Sequence, residues 1–163
     1  MTDKSAKPSR GRLVAVDIDA RSIAPGHAFI DEERAAAIRD LIADNLFSPI
    51  GRSGDRFQLR LSVADRKLVL DVSDAEGAPV VRHILSLAPL RRVVKDYFLV
   101  CDAYYAAVRN ASRARIEAID VGRRGVHNEG AEILRERLQG KISVDVATAR
   151  RLFTLVSALH WKG

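Results

Sequence analysis

The densest group of residues that could do chemistry lies at positions 120–130, with the sequence DVGRRGVHNEG. The segment contains three glycines, two arginines, a histidine, an asparagine and a glutamate. Guanidinium groups bind carboxylates or phosphates through paired hydrogen bonds, and a histidine beside a carboxylate can carry protons. Glycine allows backbone conformations that other residues avoid. The segment therefore indicates either an anion-binding site or a heavily specified turn.

The first interpretation places this segment in a gap between two helices. Asn128 then caps the second helix, and Glu129 occupies its first turn, where a carboxylate suits the helix dipole. Free N–H groups at a helix start bind anions, and the preceding Arg123 and Arg124 would reinforce them. His127 lies beside the same position. This interpretation predicts a site for a phosphate or a carboxylate.

The second interpretation of the segment is structural. Arg123 or Arg124 pairs with Asp120, with Glu129 or with a carboxylate from the front half of the chain, and the glycines only allow tight turns. Ion-pair networks gather charged residues as binding sites do, so the residue types alone leave both interpretations open.

Other basic residues could also either bind an anion or form internal ion pairs. Arg91 and Lys95 lie one turn apart near a helix start, where cations oppose the helix dipole and call for a compensating anion. Asp71, Asp74 or a ligand would meet that need. Adjacent arginines occur three times, at 91–92, 123–124 and 150–151. These pairs form an anion pocket if they converge, and only solvated charge if they are dispersed.

An enzyme acting on a phosphorylated or carboxylated small molecule is an alternative, with His127 or Glu129 as the acid–base group. His83 alternates with apolar neighbours and is expected to be a structural strand residue, and Cys101 a small buried hydrophobe. No two histidines have metal-ligand spacing, and the glycines match no nucleotide-binding pattern. We expect neither metal nor cofactor, and the balance favours a binding protein over an enzyme.

Charge suggests a third hypothesis, a protein associated with nucleic acid. The 163 residues include 27 lysines and arginines against 21 acidic residues, a net charge of +6. Residues 13–81 are mildly acidic and residues 82–151 are basic. Such a charge attracts polyanions, but no helix-turn-helix, zinc-finger or RNA-recognition signature supports this hypothesis.

Cysteine content and hydropathy indicate the cellular setting. The single cysteine excludes an internal disulfide and fits a reducing compartment. No apolar run is long enough to span a membrane, and the first residues lack the apolar core of a secretory signal. We therefore expect a cytoplasmic protein without a membrane partner.

The spacing of apolar residues predicts the helices and strands that position these side chains, beginning at the N-terminal end of the chain. A strand is expected at residues 13–18. A helix is expected at 30–46, capped by Asp31, stapled by Ile30 and ended by Pro49, with a loop at 48–55.

Residues 57–63 alternate between apolar and polar types, which is the period of a half-buried strand. Strands at 68–72 and 80–85 follow after short turns, and such short links require antiparallel neighbours.

From Pro89 onward the period becomes helical. Helices are expected at 91–109, which should be the central one, from Ser112 to about 121, from Asn128 or Glu129 to 138, and at 145–160. The fold class is therefore α+β, an antiparallel meander of three to four strands packed against a C-terminal helical layer. We expect a flexible basic tail at 1–12 and one domain at 13–163.

Long strings at residues 83–98, 122–138 and 148–155 resemble a bacterial uncharacterised protein family, number two hundred and sixty-two of that series. The resemblance covers nearly the whole chain after the tail. It implies a small bacterial cytosolic protein, and it brings no activity, cofactor or catalytic residue.

The preferred hypothesis is a small soluble bacterial protein that binds an anionic small molecule or a protein partner, as a regulatory or interaction module. Its oligomeric state is left open. The expected contact residues are Arg123, Arg124, His127, Asn128 and Glu129, with Arg91 and Lys95 as second choices.

Overall fold

In the part of the chain that the structure describes, five of the six strands precede the last three helices. A computed structural model describes residues 11–23 and 28–159, without the side chains of 28 and 29. The elements are β1 (Arg12–Ile18), a short 3-10 helix (Ala20–Ser22), α1 (Ala28–Ala43), β2 (Phe47–Pro49), β3 (Arg56–Ala64), β4 (Lys67–Asp74), β5 (Pro79–Ser86), α2 (Ala88–Asn110), α3 (Arg113–Leu138), β6 (Ile142–Val144) and α4 (Val146–Ser157). Most of the predicted tail, and the predicted helix end at residue 160, lie outside the described residues.

The main sheet has the strand order β1-β3-β4-β5, and β3, β4 and β5 form the predicted antiparallel meander. Successive side chains along each strand point to opposite faces of the sheet. Leu61 pairs with Leu70 and both are buried, whereas the next pair, Arg60 and Asp71, lies on the opposite face of the sheet. The α+β class predicted from the periodicity is confirmed.

Strand β1 joins the sheet in parallel with β3, with Val16 opposite Leu59, so the sheet is mixed rather than a pure meander. Parallel neighbours need a long crossover connection. The chain supplies one through α1 and β2.

Helix α1 ends at Ala43, and β2 follows where a loop was expected. β2 pairs antiparallel with β6 in a second, two-stranded sheet. Asp31 lies in the first turn of α1 and Ile30 inside the helix, so the predicted cap and staple are wrong. Strands of three residues are too short to show a period, which is why β2 and β6 were missed.

The side chain of Asn45 covers the outer edge of β1. Its Oδ1 accepts a hydrogen bond from the Leu13 N–H at 2.6 Å, and its Nδ2 donates to the Leu13 carbonyl at 3.0 Å. The same Nδ2 donates to the carbonyl of Leu41 at 2.6 Å, near the end of α1. One amide therefore satisfies backbone groups of two elements that would otherwise lack partners.

We expect Asn45→Ala to lower the free energy of unfolding by about 2 kcal/mol, because part-buried backbone groups lose their partners. Urea denaturation measures the change. Asn110→Ala, at the exposed end of α2, is the control and should change stability by less than about 0.5 kcal/mol. Equal midpoints for the wild type and Asn45→Ala would show that the Asn45 amide does not stabilise this edge.

Residues 120–130 lie in the interior of one helix, not in a gap. α3 runs unbroken for 26 residues, and the side chain of Ser112 accepts a hydrogen bond from the N–H of Arg115 at its start. The predicted break after residue 121 is therefore wrong, and Asn128 caps no helix. Glycine costs about 1 kcal/mol in a helix interior, and packing against neighbouring helices outweighs such local preferences.

Two glycines of α3 contact other helices, to different degrees. A Cβ at Gly122 would lie 4.0 Å from Val100 of α2, which is an ordinary contact. A Cβ at Gly130 would overlap the ring of Phe153 in α4. At Gly130, α3 and the Phe153 ring of α4 are therefore too close together for a side chain.

Helix α4 is the most deeply buried of the helices. It lies against both α1 and α3, and seven of its residues are buried: Thr148, Ala149, Leu152, Phe153, Leu155, Val156 and Ser157. α2 was expected to be central, but it leaves Leu99 and Val108 more than half exposed. That expectation is wrong, because the wide apolar face of α2 is only partly covered by α3.

Candidate functional site

Helices α1, α3 and α4 enclose a groove of about 760 Å³. Tyr97 of α2 also reaches it. The lining side chains are mainly charged or small, and they are Glu33, Ala36, Ala37, Asp40, Tyr97, Val121, Arg123, Arg124, Gly125, His127, Asn128, Arg150, Arg151 and Thr154.

Helical spacing explains why these residues line one groove. Positions separated by three and four residues lie on the same side of a helix. α1 contributes such a stripe, and α3 contributes a second one: Glu33, Ala36, Ala37 and Asp40 from α1, and Val121, Arg124, Gly125 and Asn128 from α3.

The groove contains four of the residues predicted for the site: Arg123, Arg124, His127 and Asn128. The arginines at 150–151 line it as well, so two of the three arginine pairs converge. Arg91 and Lys95 are exposed on α2 and do not line the groove. Glu129 does not line it either, because it lies toward α2, where the Arg92 Nη2 is 3.3 Å from its Oε2.

Arg123 and Arg124 are both paired with Asp120, as the structural interpretation predicted. Arg123 donates from Nε at 3.1 Å and from Nη2 at 2.7 Å to Oδ1 of Asp120. Nε of Arg124 lies 3.2 Å from the other carboxylate oxygen. The Arg123 guanidinium also sits 4.6 Å above the centre of the Tyr104 ring. Protein groups therefore hold both arginines in position.

Glu33 connects α1 to α2 across the inner end of the groove. Its Oε1 accepts a hydrogen bond from the Tyr97 hydroxyl at 2.8 Å, and its Oε2 accepts one from Tyr105 at 3.2 Å. Nη1 of Arg123 lies 3.8 Å from Oε2. Burial, with the Glu33 charge adding to it, holds the pKa of Tyr97 well above its usual range and raises that of Tyr105 to about 12.

Glu33 was not predicted as a site residue, although the sequence contains a signal for it. Ile30, Ala37 and Leu41 form the buried stripe of α1, and Glu33 occupies the same stripe at helical spacing. A carboxylate on an apolar stripe requires partners, because an unpaired buried charge is costly. The tyrosine hydroxyls and Arg123 supply them.

His127 is a half-buried, neutral imidazole that lines the groove. Its ring packs against Tyr97 at 5.3 Å and Phe153 at 5.4 Å between centroids. Burial, with the charges of Arg123 and Arg150 acting in the same direction, lowers the pKa of His127 to about 4. The ring is therefore uncharged near neutral pH.

His127 and Thr154 share a short hydrogen bond. Oγ1 of Thr154 lies 2.7 Å from Nε2 of His127 and 3.3 Å from the backbone carbonyl of Arg150. Which group donates in the shorter contact depends on the tautomer of the imidazole ring.

Two groove residues of opposite charge lack partners. The Arg150 guanidinium and the Asp40 carboxylate form no ion pair and no side-chain hydrogen bond within the described ranges. Both side chains are exposed. The neighbouring Arg151 donates from Nη1 to the carbonyl of Asp44 at 2.9 Å, which fixes it at the end of α1.

Two other reactive side chains lie outside the groove. Cys101 is fully buried, as expected, and burial raises its pKa to about 12, so the unreactive thiol form predominates. His83 is half-buried on β5 opposite Leu70. Burial lowers its pKa, and the charges of Lys141 and Arg52 contribute to the same direction.

Residues 11–23 and 28–159 contain neither a metal-binding cluster nor a membrane-spanning helix. No cluster of three or more histidine, cysteine, aspartate or glutamate side chains there is placed to hold a metal ion. None of the helices in these ranges is both long and apolar enough to cross a membrane.

Comparison with known proteins identifies similar chains in bacteria. Residues 10–162 match the model of a family described as "Uncharacterised protein family (UPF0262)". The chain is 56% identical to a UPF0262 protein of Xanthobacter autotrophicus over 165 residues, covering 100% of both chains. It is 54% identical to one of Nitrobacter winogradskyi over 159 residues, covering 98% of this chain and 95% of that protein. No solved structure matches the chain.

Proposed function

Because the chain belongs to the uncharacterised protein family UPF0262, whose name states no activity, we propose from its own groove that it binds a small anionic ligand. One observation carries the proposal. Arginines from two separate helices line the same groove, and Arg150 among them forms no ion pair in the described part of the chain. In this proposal the protein is a small regulatory or interaction module that responds to its ligand.

The electrostatics of the groove favour an anion. Asp120 and Glu33 compensate Arg123 and Arg124, and the two remaining arginines of the groove, Arg150 and Arg151, exceed its one remaining carboxylate, Asp40. Guanidinium groups form strong charge-assisted hydrogen bonds to carboxylates and phosphates. In a concave site with low-dielectric walls the field of several cations is concentrated, which raises the local concentration of anions.

The size of the groove favours a small molecule over a polyanion. About 760 Å³ lies within the usual range of roughly 300–1,000 Å³ for small-molecule sites. The Arg123 side chain is only 25% exposed and is held by Asp120. It is therefore poorly placed to contact a backbone phosphate of a nucleic acid that lies across the protein surface. The basic residues Arg91 and Lys95 of α2 do not line the groove, so they do not extend it into a wider basic surface.

The geometry supports binding better than acid–base catalysis. Glu129 lies outside the groove, paired with Arg92, so it does not act together with His127. A general base works best when its pKa lies near the operating pH, and that of His127 is about 4. Nε2 of this ring is also engaged by Thr154. We therefore prefer a binding role for the site.

Arg150→Gln is expected to weaken anion binding by tenfold or more, since a charge-assisted hydrogen bond contributes about 1.5–3 kcal/mol. Inorganic phosphate, citrate, glutamate and glycerol 3-phosphate are suitable probes, measured by thermal shift and then by calorimetry. At least one of them should raise the melting temperature of the wild type, because a ligand that binds only the folded state stabilises it.

Arg92→Gln is the matched control for this experiment. It removes the same charge from α2, outside the groove, so it should leave the affinity unchanged. An equal loss of affinity in both variants would mean that binding follows net charge rather than the groove. If none of the four probes stabilises the wild type at millimolar concentration, the proposed function is overturned.

A further inference from the structure

We propose that the ligand is zwitterionic, a small molecule that carries a carboxylate or phosphate together with an ammonium group, as free amino acids and aminoalkyl phosphates do. This inference rests on the proposed function and deepens it. It starts from Asp40, a carboxylate on the α1 wall of a groove that is otherwise rich in arginine.

Asp40 differs from the other acidic groups around the groove. Glu33 accepts hydrogen bonds from two tyrosines and lies beside Arg123, and Asp120 holds both Arg123 and Arg124. Their oxygens are occupied by protein groups. Asp40 is the one groove carboxylate that lacks a side-chain partner over residues 11–23 and 28–159.

Asp40 and Arg150 therefore leave opposite charges unpaired in one space. They belong to different helices, α1 and α4, and they do not pair with each other. A purely anionic ligand would be attracted by Arg150 and repelled by Asp40. A ligand with both charges satisfies both groups, because carboxylates and guanidinium groups each form strong hydrogen bonds to ions of opposite sign.

The groove walls leave room for the carbon skeleton of such a ligand. A Cβ built on Gly125 of α3 would meet nothing within 4 Å, and α1 presents the small side chains of Ala36 and Ala37 to the groove. Nothing within the described protein requires the absence of a side chain at Gly125. The space over Gly125 supports the inference, which is carried by the two unpaired charges.

The test compares compounds that differ only in the amine: glutamate against glutarate, 4-aminobutyrate against butyrate, and phosphoethanolamine against ethyl phosphate. Calorimetry on the full-length protein gives the affinities. The wild type should bind at least one amine-bearing compound tenfold or more tightly than its partner without the amine. Asp40→Asn should remove that preference, and Arg150→Gln should weaken binding of both members of the pair.

Asp44→Asn is the matched control, because Asp44 lies one turn beyond Asp40, at the end of α1, and does not line the groove. It should keep the preference for the amine. Far-ultraviolet circular dichroism confirms that each variant is folded.

The outcomes separate the inference from the proposed function. Equal binding of both members of every pair would overturn the inference of a zwitterionic ligand, and so would an unchanged preference for the amine in Asp40→Asn. Either result would leave the anion site in place. If neither class binds to the wild type at millimolar concentration, the anion site fails, and the inference fails with it.

Discussion

Gly130→Ala is expected to lower the free energy of unfolding by about 3 kcal/mol, although alanine is the better helix former. The added methyl group would overlap Cζ and Cε1 of the Phe153 ring. That ring is fully buried and packs against Tyr97 at 5.7 Å and His127 at 5.4 Å, so it has no free space to rotate into. Accommodating the methyl group requires α3 and α4 to separate, which loses close packing along both helices.

Gly125→Ala is the matched substitution for Gly130→Ala, since it makes the same chemical change in the same helix. Its Cβ would meet nothing within 4 Å, so only the helix preference remains. We expect stability to rise by about 0.5–1 kcal/mol. Thermal and urea denaturation should show a loss of stability for Gly130→Ala and a gain for Gly125→Ala.

A double variant tests the cause of the Gly130→Ala defect. If the clash with Phe153 is responsible, Phe153→Leu should cost much less in the Gly130→Ala background than in the wild type, because leucine vacates part of the ring volume. Strictly additive losses would show that Gly130 matters for another reason. A Gly130→Ala protein as stable as the wild type would contradict the close approach of α3 and α4.

His127 is expected to make the fold sensitive to acid. Its pKa is about 4 in the folded protein and about 6.5 in an unfolded chain, where burial no longer opposes the charge. Between these values the unfolded state binds the proton and the folded state does not, so stability falls as the pH is lowered from 6.5 to 4. The full loss is about 3 kcal/mol, and above pH 6.5 the effect disappears.

His127→Gln isolates this contribution, since glutamine retains an amide donor for Thr154 but does not titrate. The variant should be less stable at pH 7, where the imidazole packs between aromatic rings. Its stability should depend less on pH between 6.5 and 4 than that of the wild type, as measured by urea denaturation at each pH. Parallel curves for the two proteins would mean that His127 is not held neutral by burial.

The β-meander was predictable from the sequence because its signal is local. The alternation over residues 57–63 places Phe57, Leu59 and Leu61 on the buried face, and the short turns allow only antiparallel neighbours. The position of β1 was not predictable in this way. Its parallel pairing with β3 depends on a crossover connection through α1. The local sequence pattern does not indicate which strand lies at the end of such a connection.

The glycine-rich segment shows where local reasoning failed. Three glycines within 120–130 suggested a break, yet α3 continues through them. Gly130 is required because α4 approaches too closely for a side chain, and the partner in that contact, Phe153, is distant in the chain. A glycine in a helix interior and a glycine in a turn have the same appearance in a sequence, because only the neighbouring helix distinguishes them.

By itself, the sequence determined the family, the α+β class, the meander and the residue types of a charged site. Each of these depends on local properties of the chain: stretches of similar sequence, the spacing of apolar residues and side-chain chemistry. The tertiary structure decided which of those residues meet. It brought Arg123 and Arg124 together with Arg150 and Arg151, placed Glu129 elsewhere, and added Glu33 and Asp40 from α1. The physical reason is that charges interact through space, so a binding site depends on how helices pack and not on their order along the chain.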